Sequence, residues 1–534
     1  SLIFYSLTIN NILNIVVLLI LAGITISLVF SDNGIIAKAR EASSSYTNAA
    51  NEEQKLLNDV DKLIEGIAPI KKKEELELED ESKNEALQPF ITKWKTTTDN
   101  ESIKLPLMSD GEYDFTVNYG DGSEYQITTY DDTNATHTYA TAGTYTVTIK
   151  GKMTDFAFGD VPESKDKIVE LVQWGNTQLV DIDFEECTNL AGSIPVPVKG
   201  TLVQLNSVAN LFRGCTSLTG EIPENLFYNA PNLQYLSSVF KGCTGLIGTI
   251  PETLFVDLDE ANEISGAFSG CTGLTGEIPA NLFANNTELE YLRSVFSGCT
   301  GLTGEIPRNL FANNTDVIDM GNMFSGCTEL TGSIPANLFA NNTELIDVGA
   351  MFYECTELTG SIPENLFANN TKIEDMDEVF KRCTGLTGSI PKKLFANNRE
   401  VITFESIFEG CTGLTGNIPA NLFANHPNVT SYKSVFESCS GLTGEIPANL
   451  FATSPLVQNF RKAFYYCEGL TMIYSNMFDN NNSVTDFSSA FEECVNLQGT
   501  APSLWERTGV NGERCYNDCT GLDNYNDAIA NGWE

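Results

Sequence analysis

The chain is poor in histidine, in basic charge and in closely spaced cysteines. Only two histidines, His137 and His426, occur in 534 residues, far apart and with no metal-ligand spacing around them. Catalytic triads and histidine-based metal centres therefore have no material to draw on. No Gly-x-Ser-x-Gly, His-Glu-x-x-His or Walker loop is present, so the chain reads as non-catalytic, with no cofactor and no metal. Lys and Arg number 31 against 71 Asp and Glu, a formal charge of −40. Nucleic-acid binding, which needs clustered cations against phosphate, is excluded. An acidic exterior gives solubility and self-repulsion instead. No Cys-x-x-Cys pair exists, which removes zinc-ribbon and thioredoxin-type chemistry.

What the chain does have is a cysteine that returns. From Cys187 a step of 28 residues lands on Cys215, Cys243, Cys271, Cys299, Cys327, Cys355, Cys383, Cys411, Cys439 and Cys467, and Cys494 and Cys519 close the series. Of the 14 cysteines only Cys515 lies off this ladder. A fixed period of this length signals stacked supersecondary units. Rungs of such a stack stand about 4.8 Å apart, giving an array of roughly 60 Å. That spacing is within disulfide reach, and Cys515 with Cys519 is the pair best placed for a bridge. Inside a stack, however, the ladder is expected to be a row of small buried thiols.

Aligned on their cysteines, the copies reveal the candidate core. Phe296, Phe324, Phe352, Phe380, Phe408 and Phe436 stand three residues before, and Leu302, Leu330, Leu358, Leu386, Leu414 and Leu442 three after. Leu292, Met320, Val348, Met376, Phe404 and Tyr432 stand seven before. In one copy Leu345, Val348, Phe352 and Cys355 are spaced like one face of a helix of about three turns, which Asn342 or Thr343 would cap. Thr-Gly then breaks the helix, Ile-Pro reads as a short extended piece, and the proline can open a further helical turn. The expected unit is a strand, a helical turn and a helix. The expected fold is an α/β leucine-rich-repeat-type solenoid of about 13 such repeats, occupying residues 166–534 with terminal caps. Met472-Ile-Tyr in place of Ile-Pro, and the segment from Pro502 to Trp533, read as the closing piece of the chain.

Residues 1–31 carry no charged side chain, and Ile12 to Phe30 is long enough to cross a bilayer as a transmembrane helix. Ser1 in place of Met puts the true start upstream. Leu56, Leu57, Val60, Leu63, Ile64 and Ile67 mark residues 32–68 as an amphipathic helical stalk, and the charge run within 69–88 reads as a linker. The run Ile15-Val-Val-Leu-Leu-Ile-Leu-Ala-Gly-Ile-Thr-Ile26, followed by Asp32-Asn-Gly-Ile-Ile-Ala-Lys-Ala-Arg-Glu-Ala42, resembles the N-terminal helix of type IV pilin-like proteins of Gram-positive bacteria. Tyr5 stands roughly where that family carries its cleavage-site glycine.

Residues 89–165 alternate in short runs, as strands of a β-sandwich do. Gly120-Asp-Gly-Ser123 and His137-Thr-Tyr139 with Gly143-Thr-Tyr145-Thr-Val147 resemble a PKD-type, immunoglobulin-like domain. Asp121 reads as a turn former before a calcium ligand, and His137 as a structural hydrogen-bonder. Trp94-Lys-Thr, Gln173-Trp174-Gly175 and the Phe-x-x-Cys-x-x-Leu repeats, spanning roughly 89–534, resemble BspA-like leucine-rich-repeat surface proteins. The Leu-Thr-Gly-x-Ile-Pro stretch also echoes plant-type leucine-rich repeats. The BspA resemblance implies a surface-anchored binding scaffold, an adhesin contacting host matrix or other cells through its repeats. Its partner would be a protein or glycan ligand on host or neighbouring cells, with the membrane engaged by the N-terminal helix and the bulk of the chain extracellular. The alternative is a structural subunit of a pilus-like or secretion filament. Recognition is expected at exposed positions that change between copies, namely Tyr291, Arg293, Asp319, Asn322, Asp377, Glu378, Lys433 and Ser434. The triplet Asn285-Asn286-Thr287 and its copies read as turn and cap residues, not as glycosylation acceptors.

Overall fold

Alternation builds the first part of the molecule. The computed structural model describes residues 88–534 except Asp160, Lys199 and Asn229. The expected transmembrane helix (1–31), the stalk (32–68) and the linker up to residue 87 lie outside the described residues. Among the described residues no helix is long and apolar enough to cross a membrane. Strand β1 (Phe90–Thr96) buries Phe90, Thr92, Trp94 and Thr96 on one face. The other strands are β2 (Glu101–Lys104), β3 (Tyr113–Asn118), β4 (Glu124–Ile127), β5 (Thr136–Tyr139), β6 (Gly143–Met153), β7 (Asp155–Ala157), β8 (Ile168–Gln173) and β9 (Asp181–Asp183). Five of them form an antiparallel sheet in the order β4, β3, β6, β1, β8, while β2 and β5 pair separately. The Tyr139 ring of β5 stacks on Tyr145 of β6 at 3.8 Å, and its hydroxyl donates to the Tyr119 carbonyl at 2.9 Å. His137 stacks on Tyr119 at 4.2 Å. Its Nε2 lies 2.8 Å from one Asp121 oxygen, and the other accepts the Ser123 N–H at 2.9 Å. Asp121 thus spends one oxygen on its own turn and the other on His137 of β5.

The sandwich-like part and the repeats exchange strands. β7 pairs in parallel with β9 at the start of the stack, while β8, later in the chain, returns to the five-stranded sheet. Phe156 and Phe158 lie 5.9 and 6.2 Å from Phe184, which opens the phenylalanine column of the repeats. Buried apolar residues run without a break from Phe90 to Trp533.

Each rung bonds to the next through its backbone. Leu292, Ser294, Phe296 and Gly298 donate their N–H groups to the carbonyls of Asp319, Gly321, Met323 and Ser325, at 2.9, 2.8, 3.0 and 2.7 Å. Between them, Ser297 and Cys299 close three-residue turns on Ser294 and Phe296. Ser294 and Gly298 sit at φ of 58° and 71°, in the left-handed region. The same two places are left-handed in every rung from Asn210 and Gly214 to Arg514 and Asp518.

This corrects the expected helix. An α-helix needs right-handed residues throughout, and two left-handed residues per rung rule it out over Leu345–Cys355 and its copies. The turn after each proline does not become helical either; it closes through single three-residue bonds, such as Leu310 N–H on Pro307. Among the described residues the only α-helix is α1 (Tyr525–Ala530). The repeats are turns and parallel bridges, not the expected α/β unit. One column of parallel bridges runs from Asp181 through Ser207, Tyr235, Glu263, Tyr291, Asp319, Asp347, Asp375, Thr403, Ser431, Asn459 and Asp486 to Asn511.

Side chains stack in register inside this coil. From Phe184 to Tyr516 the phenyl rings three residues before each cysteine follow one another at 5.3–6.0 Å. Asn314, Asn342, Asn370 and Asn398 are buried, and each Nδ2 donates to a phenylalanine carbonyl and an asparagine carbonyl of the preceding rung. His426 takes the next place, its Nε2 lying 3.1 Å from the Phe395 carbonyl. All 14 cysteines are buried and unbridged. From Cys215 onward the ladder thiols donate to phenylalanine carbonyls of the preceding rung, as Cys299 Sγ does to Phe268 at 3.0 Å.

Two predictions follow from this geometry. Ala350 is held at φ 51° in a place where Gly266 stands three rungs earlier. Ala350→Gly should therefore raise stability by about 0.5–1 kcal/mol, relief of the left-handed strain exceeding glycine's entropic cost. A lowered thermal midpoint would contradict it. Burial also pushes the thiols up, Cys299 to about 12, so the native chain should leave Ellman's reagent unreacted at pH 8. All 14 thiols should titrate after denaturation, and a thiol that reacts at once in the native chain would break the ladder picture.

Candidate functional site

The bridge column that starts at Asp181 turns outward, eight residues before each cysteine from Ser207 to Asn511. The inward place beside it is always apolar or aromatic from Val208 to Phe487. This leaves the outer rows free to differ, and they do. Tyr235 and Tyr291 expose 41% and 39% of their surface. Beyond them the column becomes acidic over three successive rungs, Asp319, Asp347 and Asp375. Two residues on, a second row holds Arg293, Gly321, Gly349, Asp377, Glu405 and Lys433, of which the two glycines are buried and the others exposed or half-buried.

Each aspartate of the column caps its own rung. Asp319, Asp347 and Asp375 accept the N–H groups of Gly321, Gly349 and Asp377 at 2.8, 2.8 and 2.9 Å. Arg293 spans two rungs: its Nη1 stands 2.5 Å from Asp347 Oδ2 and 3.4 Å from Asp319 Oδ2. At the other end Lys433 Nζ pairs with Glu405 at 3.2 Å. Asp377 accepts from the Thr403 hydroxyl and the Glu405 N–H, both at 2.7 Å. Among the described residues neither Asp375 nor Asp377 has an ion-pair partner. Burial, with Asp375 and Glu405 adding negative charge nearby, pushes Asp377 up to about 7 despite its two hydrogen bonds. Burial likewise raises Asp319 and Asp375 above the usual carboxylate range. No group of three or more His, Cys, Asp or Glu among the described residues is arranged to hold a metal ion.

The eight sequence candidates all fall on this one strip, but not all are exposed. Tyr291 and Arg293 are exposed; Asp319, Asn322, Asp377, Glu378 and Lys433 are half-buried. Ser434 is buried, 4% exposed, and cannot serve as a contact residue. Asn322, Glu378 and Ser434 occupy the left-handed place five residues before the cysteine, where the backbone N–H is committed to the next rung. Sequence reasoning missed Asp347, Asp375, Gly321 and Gly349. The signal was there in the repetition of one residue type over successive copies, which a search for variation passes over.

Residues 262–393 and 376–505 match a family model described as "Mycoplasma protein of unknown function, DUF285". No curated protein matches the chain. Among solved structures, the chain is similar to the Arabidopsis receptor kinase HAESA in complex with the peptide hormone IDA and the co-receptor SERK1. The two are 17% identical over 63% of this chain and 74% of that one, with a TM-score of 0.24. A second similar structure is the Drosophila Toll–Spatzle complex, at 16% identity over 66% of this chain and 61% of that one, with a TM-score of 0.16.

The strained carboxylate gives a pH prediction. Asp377 is held higher in the folded chain than in the unfolded one, so its contribution to stability declines as pH rises from about 4 to 7. Asp377→Asn, which keeps an acceptor for Thr403 and Glu405, should stabilise by about 1–2 kcal/mol at pH 8. The gain should shrink towards pH 4 when melting curves are compared. A gain that is constant with pH would show that Asp377 does not titrate abnormally.

Proposed function

We propose that this chain is a surface-anchored, non-catalytic binding scaffold, an adhesin that contacts host matrix or neighbouring cells through its repeats. The observation that carries the reading is the contrast between the two sides of each rung. Inward places stay apolar or aromatic along the stack, whereas the outward strip passes from tyrosine to arginine to aspartate to lysine. Exposed aromatic and arginine side chains are the residues that most often anchor protein interfaces. The resemblance to BspA-like leucine-rich-repeat surface proteins and the match to a repeat-family model agree with this reading. In it, the N-terminal apolar segment anchors the chain in a membrane, the PKD-like part serves as the base of the array, and the repeats form the ligand-bearing solenoid. The ligand is a protein or glycan; the charge of −40 disfavours nucleic acid.

The test is capture of matrix proteins, mucins and bacterial cells by the immobilised full chain, beside a variant carrying Tyr235→Ser, Tyr291→Ser and Arg293→Ser. Capture by the parent and its loss in the variant are expected. Capture by neither defeats the scaffold reading, and equal capture by both moves the site away from this strip. Protease shaving of intact cells should release the repeats; their persistence inside would defeat surface display.

A further inference from the structure

We infer that His426 is an acid-operated release point in the stack: when its imidazole takes up a proton, the rung that ends at Cys439 opens, and the continuous array becomes two separately closed blocks. This response is independent of the ligand the scaffold takes.

The two rungs around His426 depart from the pattern together. From Asn286 to Asn398 the buried ladder place holds asparagine, whose amide serves two carbonyls of the preceding rung. His426 stands in that place at 0% exposure. Its Nε2 lies 3.1 Å from the Phe395 carbonyl, which can only accept, so Nε2 carries the hydrogen and Nδ1 the lone pair. Nδ1 has no hydrogen-bond partner among the described residues. The backbone departs as well. Each ladder asparagine closes a turn with its own N–H on the phenylalanine carbonyl three residues back, as Asn398 does on Phe395 at 3.2 Å; the His426 N–H makes no such bond. Asn425 stands at φ 67°, whereas its counterparts Asn285, Asn313, Asn341, Asn369 and Asn397 are not left-handed. On the next rung Ser454 replaces the ladder asparagine, and its hydroxyl donates to the His426 carbonyl at 2.9 Å. That commits its one hydrogen, so the Tyr432 hydroxyl donates to Ser454 Oγ at 2.9 Å.

A proton taken up here becomes a buried charge. The ring meets Phe404 edge to face at 5.1 Å, and the rung that follows offers the Tyr432 and Ser454 hydroxyls, already engaged with each other. The charged side chain acting on the ring is Arg399 of the preceding rung. Burial, with the like charge of Arg399 added, holds His426 below the usual imidazole range. An unpaired buried charge is costly, whereas opening the rung puts the imidazole in water at its ordinary basicity. The closed rung thus binds the proton less readily than the open one, so closure is secure above about pH 6.5 and weakens as pH falls. Rungs contact only their neighbours, so a weak one can open without unfolding the rest.

The experiment is thiol labelling of the full chain with a dipyridyl disulfide, which still reacts with thiols in acid, at about pH 7.5 and about pH 5. Mass spectrometry locates each labelled cysteine, and Cys299, five rungs before Cys439, corrects for the reagent's own pH dependence. Relative to Cys299, labelling of Cys439 should accelerate at the lower pH by up to roughly thirtyfold, the excess of protonated over neutral imidazole for an exposed histidine. His426→Asn, which restores the ladder amide, and His426→Ser, which leaves the place without a titrating group, should each abolish the acceleration. No acceleration, acceleration shared equally by all the ladder cysteines, or acceleration that persists in either variant overturns the inference.

Discussion

Everything in the repeats depends on a backbone bond that reaches 27 residues ahead. Alternate N–H groups of each rung leave their own segment and end on the next one. The two left-handed residues per rung aim those groups outward while the intervening three-residue turns keep the chain coiling. A rung on its own would leave these donors unpaired, and unpaired buried backbone groups are costly. No repeat can be stable without neighbours, and the ends of the stack must be closed. At one end β7 and β8 change places between the stack and the five-stranded sheet. At the other, Trp533 folds back so that its carbonyl accepts the Tyr516 N–H, and its ring lies where a Cβ on Gly512 would stand. Gly512 is a glycine because that cap needs the space.

Register has a second consequence. Once rungs align, every side chain meets its own counterpart above and below. For phenylalanine, cysteine and asparagine this repetition is favourable, since rings stack and each thiol or amide finds a carbonyl one rung away. The price of departure shows at His426, where a neutral imidazole has one N–H to offer two carbonyls that the asparagines satisfy together. For aspartate the same repetition is unfavourable, because like charges in register repel. Asp319, Asp347 and Asp375 are tolerated through their caps on the following N–H groups and through Arg293, and Asp375 remains the least compensated.

The core was legible in the sequence, and the local conformation was not. A period of 28 with Phe, Cys and Leu at fixed places identifies the buried rows, and those rows are buried. The spacing of 3, 4 and 3 from Leu345 to Cys355 could not separate a helix from a coil of tight turns, since both return a side chain to one face at those intervals. The deciding signal lay one residue before the cysteine, where Gly214, Gly242, Gly270, Gly298, Gly326 and Gly410 stand, and a glycine recurring at a fixed place in several copies reports a left-handed backbone. Five residues before the cysteine the same conformation hides behind Asn, Ser, Glu and Lys, so Asn322, Glu378 and Ser434 looked like free surface. The strand exchange was illegible because β7 is three residues long and its partner lies beyond the next strand.

The spacing of the stack also limits how a partner can read it. Along the column the carboxylates recur at about 4.8 Å, whereas side chains on one face of an extended peptide recur at about 6.8 Å. The two rulers come back into step after three rungs, at about 14 Å. A strand lying along Asp319, Asp347 and Asp375 could therefore place a cation well at one of them and poorly at its neighbours. Arg293 already bridges Asp319 and Asp347 from within the chain. An extended segment laid along such a surface would be in register at one rung only, with its next matched contact about three rungs away.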